Sequence, residues 1–452
     1  MNPNIFREYD IRGLVDIDLT DDLVEKIGKG FGTYIKQKGG KKVSVARDVR
    51  PSSTRFRDYL IDGILSTGVD VIDLGEVPTP PGYFSFFHYD IDGGIIITAS
   101  HNPPEYNGFK VGADKTTIYG EEIQAFRRLI ESEKFNSGSG KCEVVDIITP
   151  YIETLKSKFQ FKKELNIAVD AGNGMGGIIG PSLLRELGCK VTELYCEPDG
   201  SFPNHHPDPG VDKNLQDLIK TVNEKSLDLG VAFDGDADRI GPIDDLGRII
   251  RGDQLAAVYA RDVLKKHGKQ KILFDVKCSL GLIEDIENHG GIPFMWKTGH
   301  SLLKNKLREE KALFAGEMSG HMFFADDYFG YDDAIYSACR LVQIVSETDL
   351  KFSQIIDSLP QYFSTPEMRV KAKEEEKFEI VSKLKEYFKK EYDIIDIDGV
   401  RIVFPDGWGL VRASNTQPAL VIRFEAKSRD RLEEIKNLVM EKIKEFGEIE
   451  FV

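Results

Sequence analysis

Short apolar runs and amphipathic stretches alternate along the first three quarters of the chain. Residues 43–47, 167–170 and 272–275 are runs rich in Val and Ile, and they predict buried parallel strands. Stretches with helical periodicity lie between the runs, such as residues 255–266, for which Asp253 is the candidate capping residue. This alternation of strand and helix signals predicts an α/β fold.

The pattern changes after Pro366 and predicts a small α+β domain. A strand is predicted at residues 368–372, and three more are predicted at 400–404, 409–412 and 420–424. Two helices accompany these strands, each with one apolar stripe. The stripe positions are Phe378, Val381, Leu384 and Phe388 in the first helix and Leu432, Ile435, Val439 and Phe446 in the second.

Three segments are candidate linkers. Residues 137–140 read Ser-Gly-Ser-Gly, a flexible composition. Residues 247–252 precede the helix start at Asp253, and residues 360–366 are bounded by two prolines. A chain of 452 residues is long enough for two to four domains at roughly 150 residues each.

Composition and charge narrow the class of protein. Hydrophobic residues make up 41% of the chain, which supports buried cores and excludes disordered and fibrous classes. The net charge of −15 disfavours binding to nucleic acids and to anionic membranes. Five cysteines, an odd number, do not indicate a disulfide framework, and neither a signal peptide nor a membrane span is evident. We therefore expect a cytoplasmic enzyme.

Three further apolar runs each lead directly into a distinctive polar loop. Residues 94–98 lead into ASHNP, residues 230–233 into DGDADR, and residues 312–314 into AGEMSGH. Ligands of α/β proteins bind beyond the carboxyl ends of the strands. We therefore expect these three loops to face one shared cleft.

The DGDADR loop is the strongest candidate site. Asp234, Asp236 and Asp238 alternate along the loop, so an extended backbone would bring their carboxylates to one side. Hard oxygen ligands suit Mg²⁺, whereas the alternative is an acidic surface turn. We favour the metal because three carboxylates this close repel one another without a cation. An EF-hand is excluded because Arg239 and Asp245 stand where Gly and Glu are required.

Three other loops carry candidate chemistry. Ser100 is a candidate nucleophile that is not in a G-x-S-x-G elbow, and its alternative role is a cap or turn. Glu317 and Ser319 are spaced to bind neighbouring hydroxyl groups, although the segment also suits a tight turn. A phosphate-binding loop is predicted between two strands of the last domain, with a polar hairpin connection as the alternative. Its candidate residues are Arg412, Ser414, Asn415 and Thr416.

Residues 172–177 match the G-x-G-x-x-G pattern of dinucleotide-binding proteins, and Glu197 lies near the expected acidic position. The alternative is a glycine-rich turn that lets a helix pack closely on a strand. We favour the turn, since nothing else in the chain is typical of hydride transfer. His205 and His206 are adjacent, so their side chains are expected to point apart and not to share a metal.

Five motifs occur in one order: FREYDIRG (6–13), TASHNP (98–103), DGDADR (234–239), GEMSGH (316–321) and RASNTQP (412–418). In this order and spacing they resemble the α-D-phosphohexomutase superfamily. Met318 resembles its bifunctional phosphomannomutase/phosphoglucomutase branch. The resemblance spans the whole chain and implies three similar α/β domains with mixed sheets, then a small α+β domain, all around a central cleft. The expected domains are residues 1–149, 150–252, 253–364 and 365–452.

The resemblance also implies a role for each motif. Ser100 would be the phosphorylated nucleophile, and its phosphate would share Mg²⁺ with Asp234, Asp236 and Asp238. The remaining catalytic positions would be Arg12, His101, Lys110, Arg239 and His321. The sugar-binding positions would be Tyr9, Lys277, His300, Glu317, Ser319 and His321. Arg412, Ser414, Asn415 and Thr416 would hold the phosphate that is not being transferred.

The implied reaction interconverts hexose 1-phosphate and hexose 6-phosphate. A 1,6-bisphosphate intermediate would turn over within the cleft, with glucose 1,6-bisphosphate as activator. His321 and His101 are the candidate bases, assisted by Lys110 or Arg12, and the sequence does not choose between them. Motion about residues 360–366 would open the cleft, and we expect a monomer. The competing hypotheses are an NAD-dependent oxidoreductase and a non-catalytic phosphosugar-binding protein.

Overall fold

The computed structural model describes residues 1–373, 375–414, 419–447 and 449–451. Within these residues, four sheets follow one another along the chain, each with its own helices. The first three units combine mixed sheets with packed helices, and the fourth is an antiparallel sheet with two helices. The predicted α/β fold class, with a small α+β domain at the end, is confirmed.

The first sheet has the strand order β1-β5-β4-β2-β3-β7, with β6 paired to β5. Its strands β2, β3, β4 and β7 are parallel, whereas β5 runs antiparallel to both β1 and β4. The strands are β1 (Ile11–Leu14), β2 (Lys42–Arg47), β3 (Asp70–Glu76), β4 (Gly93–Ile97), β5 (Tyr106–Ala113), β6 (Thr116–Thr117) and β7 (Cys142–Val144). The helices are the 3-10 turn Pro3–Ile5, α1 (Asp21–Gln37), α2 (Ser53–Leu65), α3 (Thr79–His88) and α4 (Glu121–Ser132).

The second and third sheets share one plan, three parallel strands and one antiparallel edge strand. The second contains α5 (Ile148–Lys158), β8 (Asn166–Asp170), the 3-10 turn Met175–Ile178, α6 (Gly180–Glu186), β9 (Lys190–Leu194), the 3-10 turn Asp212–Leu215, α7 (Gln216–Lys225), β10 (Leu229–Phe233) and β11 (Ile240–Asp244). The third contains α8 (Gly252–His267), β12 (Lys271–Asp275), α9 (Leu280–Asn288), β13 (Ile292–Trp296), α10 (His300–Glu310), β14 (Phe314–Gly316), β15 (Met322–Phe324), α11 (Ala334–Ser346) and α12 (Phe352–Asp357).

The fourth sheet has the order β18-β19-β20-β21-β17-β22, with β16 paired to β21. Its two helices bury one face each against the sheet and enclose a separate core. The elements are β16 (Phe363–Ser364), β17 (Met368–Ala372), α13 (Lys377–Phe388), β18 (Asp393–Ile395), β19 (Val400–Phe404), β20 (Gly407–Ala413), β21 (Ala419–Ala426), α14 (Arg429–Phe446) and β22 (Ile449–Phe451).

The four predicted loops occupy one recurring topological position. Each joins a strand to the antiparallel partner that follows it: β4 to β5, β10 to β11, β14 to β15, and β20 to β21. In the first three sheets the strand before the loop is also paired in parallel with a central strand. The recurring sequence pattern of an apolar run followed by a polar loop therefore corresponds to a repeated hairpin.

Several local predictions were wrong. Helix α8 begins at Gly252 after Arg251, so Asp253 does not cap it. The Asp253 carboxylate instead accepts the Ser279 N–H (3.1 Å) and pairs with Arg423 (3.2 Å), a residue of the fourth sheet. The strand predicted at residues 312–314 is displaced by two residues, since β14 covers Phe314–Gly316.

The apolar stripes of the last two helices are partly shifted from their predicted positions. In α13 the buried positions include Ile380, Leu384 and Phe388, whereas Phe378 is 57% exposed. Val381 and, in α14, Phe446 are only half-buried, while Met440 and Ile443 join the buried face.

The Ser-Gly-Ser-Gly segment is tied to the first domain. Gly138 N–H donates to the Ser66 carbonyl (2.8 Å) and Gly140 N–H to the Leu65 carbonyl (2.9 Å), and β7 then extends the first sheet. Strand β16 pairs with β21 of the fourth sheet, within the predicted hinge at residues 360–366. The predicted divisions after residues 149 and 252 fall in the first turns of α5 and α8. The exact domain boundaries and the hinge motion stay predictions.

The first three units share one hydrophobic cluster. It runs from Ala46 in β2 through Val169 in β8 to Leu359 after α12. The fourth unit is joined to the third by a small apolar cluster, in which Val276 packs with Trp408 and Leu410, and by buried polar contacts. Among the polar contacts, Arg401 donates from Nη1 to the Val276 carbonyl (2.6 Å) and packs 3.8 Å from the Trp408 ring centroid. No helix among the described residues is long and apolar enough to cross a membrane.

The observed core of the fourth domain predicts unequal effects for two substitutions in α13. Leu384→Ala removes a fully buried side chain, which should lower the domain's stability by about 2–5 kcal/mol. Phe378→Ala, the matched control, should change it by about 0.5 kcal/mol or less because the ring is exposed. Hydrogen exchange of β19–β21 peptides, read by mass spectrometry, measures both. Equal acceleration in the two variants would contradict the assigned core.

Candidate active site

Ser100 contacts the predicted metal loop directly. Its Oγ donates a hydrogen bond to Oδ2 of Asp234 (2.7 Å), although the two residues lie in different domains. Ser100 has a φ of 50°, and its N–H donates to the Thr98 hydroxyl (2.9 Å), so the local turn also forms. Gly235 is required at this junction, because a Cβ there would lie 2.3 Å from the Ser100 carbonyl oxygen.

A buried arginine holds the backbone around Ser100. Arg50 is 2% exposed and pairs with Asp48, which follows the end of β2. Its two terminal nitrogens donate to four carbonyl groups at 2.6–3.0 Å, those of Ser100, Asn102, Pro103 and Tyr106. The shape of the nucleophile loop therefore depends on one guanidinium group that the sequence reasoning did not identify.

The three carboxylates of the DGDADR loop are almost fully buried. Asp234, Asp236 and Asp238 are each 1% exposed or less. Oδ1 of Asp234 accepts the N–H groups of Asp238 and Arg239, both at 3.1 Å, which folds the loop around that carboxylate. Burial raises the pKa of Asp234 to about 7, and the charges of Asp238 and Asp236 contribute to the same shift.

Two cations partly neutralise the loop. The Lys110 ammonium lies 2.7 Å from Oδ2 of Asp236 and also contacts Oδ2 of Asp238. Arg239 places Nε 3.1 Å from Oδ2 of Asp234. Burial alone would lower the pKa of Lys110, but the two carboxylates raise it well above its usual value. Lys110 is therefore charged, and both Lys110 and Arg239 lie against the carboxylates of the loop.

The loop fits a divalent cation. One ligand atom from each of Asp234, Asp236 and Asp238 lies within 4.8 Å of the others. Oδ1 of Asp236 and Oδ1 of Asp238 are buried without a hydrogen-bond partner among the described residues. Those are the oxygens that Lys110 does not contact, so the loop retains acidic oxygens in a geometry that a hard cation would satisfy.

Arg12 and His101 flank the nucleophile. Arg12 donates from Nη1 to Oδ1 of Asn102 (2.7 Å) and pairs with Asp10 (2.5 Å). Nδ1 of His101 lies 3.1 Å from the Ser100 Oγ. Burial, together with the charges of Arg239 and Arg12, lowers the pKa of His101 well below its usual value. His101 is therefore a neutral imidazole beside Ser100.

A second cluster contains the other predicted histidines and one aspartate that was not predicted. The His300 and His321 rings stack with centroids 5.3 Å apart, and the Tyr9 ring lies 5.7 Å from His300. Nδ1 of His321 is 3.1 Å from Oδ2 of Asp332, which is fully buried. Lys304 pairs with the same carboxylate at 2.7 Å.

Glu317 and Ser319 are held side by side. Ser319 Oγ donates to Oε2 of Glu317 (2.8 Å), and the Gly299 N–H donates to Oε1 (2.6 Å). The backbone of this loop is fixed from two sides, because Met318 N–H donates to Asp275 at the end of β12 (3.1 Å). This pairing fixes one carboxylate and one hydroxyl beside each other, and their contact with a sugar stays a prediction.

The predicted phosphate loop lies partly within the described residues. Arg412 pairs with Asp398 (3.1 Å), and the Ser414 carbonyl accepts from Lys377 (2.7 Å). Asn415 and Thr416 lie outside the described residues. Lys277, predicted as a sugar contact, lies 3.1 Å from Glu367, a residue of the fourth domain.

A cleft of about 690 Å³ is lined by residues of all four units. Predicted site residues from several motifs reach it. Its lining includes His101, Arg239, Lys277, Met318, Ser319, Glu367, Arg369 and Arg423. The expectation that the polar loops face one cleft is therefore met.

The glycine-rich segment at residues 172–177 serves packing. A Cβ on Gly176 would lie 2.6 Å from the Phe233 ring, and one on Gly177 would lie 2.0 Å from the Cys196 carbonyl oxygen. Protein atoms therefore already fill the space beside these glycines. The interpretation as a tight turn accounts for the pattern.

The neighbouring His-His loop also supports the site. Nε2 of His205 lies 3.1 Å from Asp170 at the end of β8. Asp208, two residues after His206, lies 3.2 Å from Nη1 of Arg239 and so helps to fix that guanidinium.

Models of all four domains of the phosphoglucomutase/phosphomannomutase family match the chain. Alpha/beta/alpha domains I, II and III match residues 3–137, 149–247 and 251–363, and the C-terminal domain matches residues 367–442.

Relatives match over nearly the whole chain. A phosphomannomutase/phosphoglucomutase of Pseudomonas aeruginosa is 45% identical over 442 residues, covering 98% of this chain and 96% of the relative. A phosphoglucomutase of Neisseria gonorrhoeae is 42% identical over 439 residues, covering 96% and 95%. The crystal structure of a phosphoglucomutase/phosphomannomutase family protein from Burkholderia thailandensis has a TM-score of 0.94 at 40% identity, covering 99% of each chain. The chain therefore belongs to the phosphoglucomutase/phosphomannomutase family, within the α-D-phosphohexomutase superfamily.

Proposed function

We propose that this phosphohexomutase interconverts the 1-phosphates and 6-phosphates of glucose and mannose through a phosphate group carried on Ser100. The observation that supports it best is the 2.7 Å contact between Ser100 Oγ and Asp234, within a buried group of three carboxylates. The relative from Pseudomonas is named for both sugars.

The charges around Ser100 suit a phosphoserine. Such a group carries about −1.5 to −2, and the three carboxylates add further negative charge. Lys110 and Arg239 contact the carboxylates, and Arg12 lies beside Asn102 in the same loop. When bound at Asp234, Asp236 and Asp238, Mg²⁺ would stabilise the negative charge of the transferred phosphoryl group.

The reaction uses two separate anion positions. The bond from Ser100 Oγ to phosphorus breaks as a bond forms to a sugar hydroxyl oxygen, and the hydroxyl proton leaves to a base. The product is a hexose 1,6-bisphosphate. One such compound, glucose 1,6-bisphosphate, would also activate the enzyme. Arg412, Ser414, Asn415 and Thr416 would hold the other phosphate while Glu317 and Ser319 hold the sugar hydroxyls. After the intermediate reorients, its second phosphate returns to Ser100.

Arg50 supports this chemistry by fixing the Ser100 backbone. A phosphoryl transfer depends mainly on positioning and charge, so a small displacement of Oγ is costly. Removal of the Arg50 guanidinium would leave four carbonyl groups without their buried donor. We therefore assign Arg50 as a positioning residue of the nucleophile loop.

The family resemblance and the acidic charge support three further proposals. The chain supplies all five motifs itself, so we propose that it works as a monomer. We also propose a cytoplasmic location and the domain divisions 1–149, 150–252, 253–364 and 365–452.

Ser100→Ala should abolish the mutase reaction. In a coupled assay with glucose 1-phosphate or mannose 1-phosphate, Mg²⁺ and a trace of glucose 1,6-bisphosphate, we expect kcat to fall by about 1,000-fold or more. Ser157→Ala, an exposed serine of α5, should leave kcat unchanged. Mass spectrometry should find phosphate on Ser100 of the active protein. Sugar-phosphate binding without turnover by the unaltered protein would favour the non-catalytic alternative.

Removal of the metal should stop turnover reversibly. A chelator should abolish activity, and added Mg²⁺ should restore it. Asp236→Asn should weaken Mg²⁺ binding by about 100-fold in calorimetry because it removes a ligand charge. Asp430→Asn, on the exposed surface of α14, is the matched control. Full activity in the presence of the chelator would argue against the carboxylate loop as a metal site.

Arg50→Met should lower kcat by about 100-fold and speed hydrogen exchange in residues 98–106, since the loop loses its internal donor. Arg47→Met, at the end of β2, removes the guanidinium contacts to Thr54 and Glu76 and should have little effect on either measurement. Exchange in the fourth domain serves as an internal control for folding. Unchanged exchange in residues 98–106 would exclude the assigned role of Arg50.

A further inference from the structure

Thr298 lies where three of the four domains meet. Its hydroxyl donates a hydrogen bond to Oδ2 of Asp275 in its own, third domain (3.1 Å). Its carbonyl oxygen accepts one from the Tyr9 hydroxyl of the first domain (2.8 Å), and its N–H donates to Oδ2 of Asp398 in the fourth domain (3.0 Å). Every polar group of this residue is therefore used to hold one backbone segment between three domains.

Asp398 connects this segment to the predicted phosphate loop. It lies between β18 and β19, and its side chain is 15% exposed. The oxygen that accepts the Thr298 N–H, Oδ2, also lies 3.1 Å from Nη2 of Arg412 near the end of β20. Nε of Arg412 is buried without a hydrogen-bond partner among the described residues. The guanidinium therefore keeps an unused donor that a bound phosphate would satisfy.

The next residue, Gly299, connects the same segment to the predicted sugar contact. Its N–H donates to Oε1 of Glu317 (2.6 Å). Its φ is 137°, and a Cβ at this position would collide with the Tyr9 ring, so the position requires glycine. The consecutive N–H groups of Thr298 and Gly299 thus bind two carboxylates, one beside the phosphate loop and one in the predicted sugar-binding loop.

We propose that Asp398 is a positioning residue for substrate binding, which orients the Arg412 guanidinium towards the phosphate that is not being transferred and joins it to the backbone that holds Glu317. The inference rests on the proposed mutase function. A hexose phosphate offers only a narrow range of distances between its phosphate and its ring hydroxyls. Arg412 and Glu317 must keep a matching separation although they belong to different domains. The contacts of Asp398, Thr298 and Gly299 fix that separation.

A single carboxylate is enough to orient the whole guanidinium. The group is planar and its donors are rigidly spaced, so pairing at Nη2 also sets the direction of Nε. The pair is charge-assisted and largely shielded from solvent, since the Arg412 side chain is 10% exposed. Without this partner, Arg412 would lose more rotamer freedom on binding a phosphate, and binding would be weaker.

Asp398→Asn tests the link to Arg412. The amide keeps an oxygen for the Thr298 N–H but loses the charge that pairs with the guanidinium. We expect KM for glucose 1-phosphate to rise by about 10- to 100-fold with kcat changed by about threefold or less, because the phosphate is held equally in the ground state and the transition state. Asp396→Asn, the matched control, alters a half-exposed carboxylate that pairs with Lys385 and should change neither constant. A fall in kcat with KM unchanged would overturn the proposal.

A double-mutant cycle separates this role from a general loss of stability. In an Arg412→Ala background, Asp398→Asn should raise KM by about threefold or less, because the group that it orients is gone. Asp398→Ala also removes the acceptor of the Thr298 N–H, so in the same background it should still lower kcat/KM by about tenfold. Independent, multiplicative effects of Asp398→Asn and Arg412→Ala would overturn the proposal. Equal effects of the Asn and Ala changes would contradict the link through Thr298.

Binding can also be measured without turnover. In the Ser100→Ala protein, calorimetric titration with glucose 6-phosphate should give a Kd that Asp398→Asn raises by about 10- to 100-fold. In the unaltered protein, glucose 6-phosphate should slow hydrogen exchange in residues 297–300 and 396–399 together. Slowing in residues 297–300 alone would overturn the proposal even if the Asp398 variants do not fold. Intact binding without any mutase activity in the unaltered protein would instead refute the proposed function, so the two failures are distinguishable.

Discussion

The constraint that organises this molecule is the burial of three carboxylates around one hydroxyl group. Asp234, Asp236 and Asp238 lie in a space that solvent barely reaches, where unpaired negative charge is strongly unfavourable. Two cations offset that charge. Lys110 belongs to the first domain, and Arg239 belongs to the aspartate loop itself. The first and second domains therefore meet at this point through charged groups. Packing elsewhere holds those groups at the observed separations.

One hairpin plan presents four of the five motifs. Each of the four loops leaves a strand and returns along its antiparallel neighbour. A hairpin fixes both ends of a loop, so the polar side chains gain a defined position at little entropic cost. The domains thus differ in the residues they present and not in how they present them.

The sequence predicts those features whose signal is local. Ser100, Glu317 and the aspartates stand in short loops after apolar runs, so the strand-end rule located them. Arg50 and Asp332 were not predicted, because their partners lie 50 residues or more away or on other elements. A single arginine or aspartate also produces no periodic pattern in the sequence. The wrong capping role predicted for Asp253 has the same origin, because its carboxylate pairs with Arg423, which lies 170 residues further along the chain.

The division of the hydrophobic interior has an evolutionary consequence. The first three units share one continuous core, so a change in any of them must be compatible with the other two. The fourth has its own interior and meets the third unit through arginines that donate to backbone carbonyls and through a small apolar cluster of Val276 with Trp408 and Leu410. During evolution, a substitution inside that separate core therefore needs no compensating change in the core that the first three units share.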